Sequence, residues 1–160
     1  MMPSMGVLFD YFAADSDEQA ASAIDRLGGP GAETAPDASA QAFDTVSVKG
    51  IDPVVQMGTL EALLTGRSYA EIAAEHRSGT PLAIHDGGER VVLALTDSLT
   101  NALAEASPER LAEVAVPWSR TDEFWGSADP DMLTGFLRDL AGVAGRAQAG
   151  SQRLYCWICV

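Results

Sequence analysis

Three groups of residues have types and spacings that chemistry could use. Cys156 and Cys159 enclose Trp157 and Ile158, which is the spacing of dithiol redox centres and of half a zinc site. His85 and Asp86 are adjacent, a pairing that elsewhere supplies a general base. Trp118 to Trp125 reads Trp-Ser-Arg-Thr-Asp-Glu-Phe-Trp, a polar run carrying three large aromatics beside Arg120 and Glu123. Those are the residue types of a protein-binding anchor or of a pocket wall, with Arg120 able to pair a carboxylate.

Geometry weakens the first two. Leu154 to Val160 is β-branched and aromatic, without Gly, Pro or charge, so it predicts a strand. Residues three apart on a strand face opposite ways with Cα atoms about 10 Å apart, beyond the roughly 7 Å a disulfide spans. The two thiols are therefore expected to be separate, reduced and buried. A zinc site would need two further ligands, and His76 and His85 do not stand at finger spacing. His85 and Asp86, next to each other at the start of a Gly87-Gly88 turn, also face apart. His76 is placed at a helix C-terminus, where the dipole favours a partly charged imidazole. No cofactor and no metal are expected. The common nucleophile-elbow, phosphate-loop, dinucleotide and metalloprotease signatures are absent from the sequence. The binding residues singled out are thus Trp118, Arg120, Glu123, Phe124 and Trp125, against the alternative that the tryptophans fold back over an end of the core.

The elements that must position these residues can be read in order. Met5 to Phe12 predicts a first strand, and Ser16 or Asp15 caps a helix running to about Leu27, with Asp17 and Glu18 in its first turn. Residues 28–42 are small, polar and proline-broken, the composition of a long flexible loop. A short extended segment, Phe43 to Val48, precedes Asp52-Pro53, which starts a helix to Thr65 that is apolar around most of its circumference and closed by Gly66. Ser68 and Glu71 have capping-box spacing for a helix ending near Gly79. Leu82 to His85 and Arg90 to Leu95 predict a hairpin. Thr96 or Asp97 caps a helix to about Ala106, and Ser107-Pro108 starts another to about Val116, where Pro117 stops it. Asp129-Pro130 then opens a long helix. In it Met132, Leu133, Phe136, Leu137, Leu140, Val143, Ala144 and Ala147 share one face, Gly135, Gly142 and Gly145 form a small-residue strip elsewhere on the helix, and Gly150 is the expected C′ residue.

Together these elements predict a single α+β domain over residues 1–160. Its small mixed or antiparallel sheet contains the hairpin at about 82–95 and the C-terminal strand 154–160, which is either central or has its outer face covered by something else, packed by the helices from Pro53 and Pro130. The chain has 160 residues, enough to bury about 70% of its unfolded surface. Twenty-three acidic against ten basic residues give a formal charge of −13. Such a field repels phosphate backbones, so no nucleic-acid partner is expected, and a basic protein partner is the complementary possibility. No apolar run reaches the length of a membrane helix, and no Lys or Arg precedes Arg26 to form a secretory n-region. A cytoplasmic location with no membrane contact is the expectation.

Met5 to Phe12, Lys49 to Val55, Trp118 to Trp125 and Leu154 to Trp157 together resemble an uncharacterised family of small acidic actinobacterial proteins. More distantly, a leucine-rich helix ending Leu63-Leu64-Thr65-Gly66, then a late amphipathic helix running into a terminal strand, is similar to the YfbM-like proteins of unknown function. The resemblance implies an α+β fold and brings no activity with it. The functional expectation is a non-enzymatic interaction module, immunity-like or regulatory. The alternative is a small-molecule binder or an enzyme of unfamiliar type with its pocket near residues 118–125.

Overall fold

The computed structural model describes residues 8–25, 44–75, 77–85, 87, 90–121 and 128–159. The flexible loop expected at 28–42, His76, Asp86, Glu123, Phe124 and Trp125 lie outside the described residues. The elements in chain order are β1 (Leu8–Ala14), α1 (Asp17–Ser22) with a 3-10 turn at Ala23–Asp25, β2 (Thr45–Lys49), α2 (Val55–Thr65), α3 (Tyr69–Ala73), β3 (Pro81–His85), β4 (Arg90–Ala94), α4 (Asp97–Glu105), α5 (Pro108–Ser119), α6 (Pro130–Ala149) and β5 (Arg153–Cys159).

The strands form one antiparallel sheet in the order β2-β1-β5-β4-β3, so the last strand in sequence lies at its centre. The fold is α+β. A central strand must be apolar on both faces, which is why Leu154 to Trp157 carries no charge and is wholly buried. Phe9, Tyr11, Leu154 and Cys156 point to one face, joining Leu133, Phe136, Leu137, Leu140 and Val143 of α6. Each of these large side chains contributes about 1.5–3 kcal/mol on burial. Phe12, Tyr155 and Trp157 point to the other face, where Val92, Ala20, Ala23 and Ile24 meet them in a smaller cluster.

Helix starts follow their caps. The side chains of Ser16, Ser68, Thr96, Ser107 and Asp129 accept hydrogen bonds from backbone N–H groups of the first turns of α1, α3, α4, α5 and α6. Asp52 does the same for α2, accepting from Val54 and Val55 at 2.7 and 2.8 Å, although the helix begins two residues later than the Asp-Pro pair suggests. Gly66 ends α2 at φ 76° with its N–H on the Ala62 carbonyl. The Tyr11 hydroxyl donates to the Ile51 carbonyl, joining β1 to the approach to α2.

Five expectations are corrected. α3 ends at Ala73 rather than near Gly79, because the chain beyond it is drawn into backbone bonds with β4: Gly79 N–H to Ala94 O at 3.1 Å and Ala94 N–H to Thr80 O at 2.9 Å. Met132, at the margin of the apolar arc of α6, is 49% exposed. Gly150 keeps φ −97° and Ser151 takes the left-handed conformation at φ 57° instead. Finally, α5 continues through Pro117 to Ser119. Proline there removes one N–H close to the helix end, a small loss beside the burial of Trp118 on the extra turn. The helix from Pro53 also packs differently, chiefly against α3, α4 and α5 rather than along the sheet.

Candidate functional site

The extension of α5 changes what the aromatic run is. Trp118 is not in a loop. It lies in the last turn of α5 with no exposed surface, its indole N–H donating to the Gln56 carbonyl at 2.9 Å and its ring stacked on Phe136 with centroids 6.4 Å apart. A tryptophan satisfied in this way is a core residue tying α5 to α2 and α6. Arg120 follows as the C-cap of α5 and is exposed. The structure therefore separates Trp118 from Arg120 by burial.

The outer face of α5 carries Glu109, Glu113, Val116 and Arg120, all exposed. At 100° per residue they lie on the side opposite Leu111, Val114 and Trp118. Neighbouring helices add Glu105 at the end of α4, and Asp131, Met132 and Asp139 on α6, also exposed. These helices thus expose several carboxylates and two apolar side chains, Val116 and Met132, with Asp139 lining a pocket beside Asp44 to Ser47 of the β2 side.

The cysteines stand on opposite faces of β5 and are free thiols. Cys156 is buried among the residues under α6, and burial pushes its thiol well above the ordinary range, with the Asp52 and Asp10 charges adding to the effect. Cys159 is half-buried against the smaller cluster. A thiol held protonated in an apolar setting is a poor nucleophile and a poor metal ligand. His85 is the last residue of β3. Among the described residues no group of three or more His, Cys, Asp or Glu side chains could hold a metal ion.

Two polar networks are not apparent from local sequence. At one end of the sheet, Tyr155 donates its hydroxyl to Asp17 at 2.8 Å. Arg77 reaches both Asp17 oxygens with Nη1 at 3.1 Å, donates Nε to the Leu95 carbonyl at 3.3 Å and lies 5.6 Å over the Tyr155 ring. Burial, reinforced by the hydrogen bond to Asp17 and its charge, pushes the Tyr155 phenol up to about 12. The hydrogen bond from Tyr155, with those of Arg77, holds Asp17 below the usual carboxylate range despite some desolvation. Near neutral pH this set has a fixed protonation pattern, so it acts as a clamp joining α1, β5 and the α3–β3 connection.

In the second network Glu61, 2% exposed, accepts from Thr96 at 2.6 Å and from Ser98. Arg67 stands 3.9 Å from Glu61 and 2.8 Å from Glu75. This carboxylate is buried at the N-terminus of α4, where hydroxyl donors and the helix dipole offset its desolvation. A further buried carboxylate, Asp10, faces Trp157 and Ser47 across the strands; burial raises its pKa, against a lowering by the Ser47 hydrogen bond. The Glu71 half of the capping box was legible from spacing alone, whereas these networks join residues tens of positions apart and leave no local signal. No protein-family model, no curated protein and no solved structure matches this chain.

Proposed function

We propose that this protein is a non-enzymatic interaction module, immunity-like or regulatory, that engages a basic protein partner through the exposed carboxylates of α4, α5 and α6. The observation that supports this reading is how the cations are used. Arg67, Arg77, Arg110, Arg146 and Arg153 each lie within 4.0 Å of a carboxylate of this same chain. Among the described residues at least these five of the chain's ten basic residues are thus paired internally, and the formal excess of thirteen negative charges remains. Glu105, Glu109, Asp131 and Asp139 are exposed, as are Val116 and Met132, which gives a partner both charge and apolar contact on α4, α5 and α6. Arg120, exposed at the end of α5, belongs to the same proposed surface.

The test is affinity capture from native lysate with the parent protein and with a Glu109→Lys/Glu113→Lys variant of matched thermal stability. The reading predicts a basic protein retained by the parent at low salt, lost at high salt and lost from the variant. Equal capture by the variant, or no partner at any salt concentration, overturns it.

A further inference from the structure

A groove of about 570 Å³ runs between α4, α5 and α6, toward the Pro108 end of α5 and away from Trp118. Its walls are Leu103, Ala106, Pro108 and Leu111, and its floor is set by Ala141 and Gly142, with Arg138 at one side. The groove exists because its residues are short. The Ala106-Ser107 link lets α4 turn sharply into α5, and Ala104 and Ala141 leave unfilled the space that larger side chains would take at a three-helix junction. Ala104, Ala106 and Ala141 are only half-buried, so an apolar surface remains in contact with solvent.

Arg138 differs from the arginines beside it. Arg146, one turn of α6 further on after Gly142, is held by Asp44 at 2.7 and 3.1 Å, and Arg110 is held by the Leu63 carbonyl at 3.1 Å. Arg138 is exposed and forms no ion pair among the described residues. A guanidinium at the rim of an apolar groove complements a ligand with an aliphatic body and a single carboxylate, which it can bind with two parallel hydrogen bonds. The overall negative charge opposes an anion, but at physiological salt its field is screened over about 8 Å, and of the residues lining the groove Arg138 is the charged one.

We infer that the α4–α5–α6 groove is a binding site for a small aliphatic monocarboxylate, its chain lying over Ala141 and Gly142 and its carboxylate on Arg138. The volume lies within the roughly 300–1,000 Å³ range of small-molecule sites. The groove borders the proposed partner surface, since Glu105, Glu109 and Asp139 adjoin its lining residues in sequence, but its apolar lining and Arg138 take no part in that reading.

The experiment titrates octanoate and, separately, octan-1-ol into the full chain at physiological salt, followed by backbone amide NMR and calorimetry. The site predicts saturable octanoate shifts confined to residues around Leu103–Leu111 and Arg138–Gly142, with octan-1-ol about tenfold weaker, the value of one charge-assisted contact. Arg138→Gln should remove that preference by weakening octanoate alone, and Ala141→Phe, which fills the groove, should weaken both ligands. Should Ala141→Phe fail to fold, the exposed Arg138→Gln still decides. No saturable shift with octanoate, shifts centred elsewhere, or equal octanoate affinity in Arg138→Gln would each overturn the site.

Discussion

Trp118 and Tyr155 are both large aromatics with no exposed surface and one polar group, and they do opposite things. Trp118 donates to a backbone carbonyl, that of Gln56, within the larger core. Neither group titrates, so the contact is the same at every pH at which the chain folds. Tyr155 donates to the carboxylate of Asp17, itself in contact with Arg77 and partly exposed. That contact depends on charge and on solvent reaching the end of the sheet. The aromatic that looks like a binding anchor in the sequence is thus a packing residue, and the one that looks like an ordinary strand residue has the titratable partner.

The largest expected effect comes from the Trp118 side. Trp118→Ala leaves a cavity between α2, α5 and α6 and removes the indole hydrogen bond to the Gln56 carbonyl, and should destabilise the fold by about 3–5 kcal/mol in denaturant unfolding. Trp118→Phe, which keeps most of the volume, should cost less, and neither value should change across the neutral pH range.

Tyr155→Phe should cost about 1.5–3 kcal/mol, the range for a hydrogen bond to a charged group. Here the pH dependence is the sharper test. The Tyr155 phenol is raised from 10 to about 12, so the protonated side chain is favoured in the fold. Its stabilisation is complete below pH 10 and is lost as the pH rises towards about 12. Asp17 is lowered from 3.8, so its contribution is present above that value and is lost as the pH falls through the lower folded value. Tyr155→Phe should flatten the alkaline limb of a stability profile, and a limb unchanged in the variant would assign it to other groups.

Asp10 gives the opposite sign. Its carboxyl is raised by burial, so the ionised form is disfavoured in the fold and costs stability above the folded value. Asp10→Asn should raise the unfolding temperature at neutral pH, and the gain should fade as acid protonates the parent. The smallest effect is expected at Ser151, whose φ of 57° costs an L-residue about 1 kcal/mol. Ser151→Gly should recover part of that in thermal unfolding.

Much of the fold was legible because it is written in short-range chemistry. Asp129-Pro130, Ser107-Pro108 and Ser68 through Glu71 mark helix starts within four residues, and the uncharged run from Leu154 identifies a central strand. The opposite orientation of Cys156 and Cys159 followed from strand period alone. What was not legible depends on tertiary competition. Pro117 argues for a helix stop, but the space between Gln56 and Phe136 rewards one more turn, and only the packed core decides between them. Asp17 and Tyr155 are 138 positions apart, so nothing near either residue signals the contact. Ser151 is left-handed because the closing bonds of α6, including Gln152 N–H to Ala147 O at 2.7 Å, fix the exit of the chain into β5.

The central claim is that Trp118 serves the fold while the outer carboxylates of α5 serve the partner. The most direct measurement is partner capture by equal amounts of folded Trp118→Phe and Glu109→Lys/Glu113→Lys proteins. The account predicts that Trp118→Phe captures like the parent despite its lower stability, and that the charge-reversed variant keeps its stability within about 0.5 kcal/mol, as surface changes do, and loses capture. Loss of capture in Trp118→Phe with retention in the charge-reversed variant would contradict it.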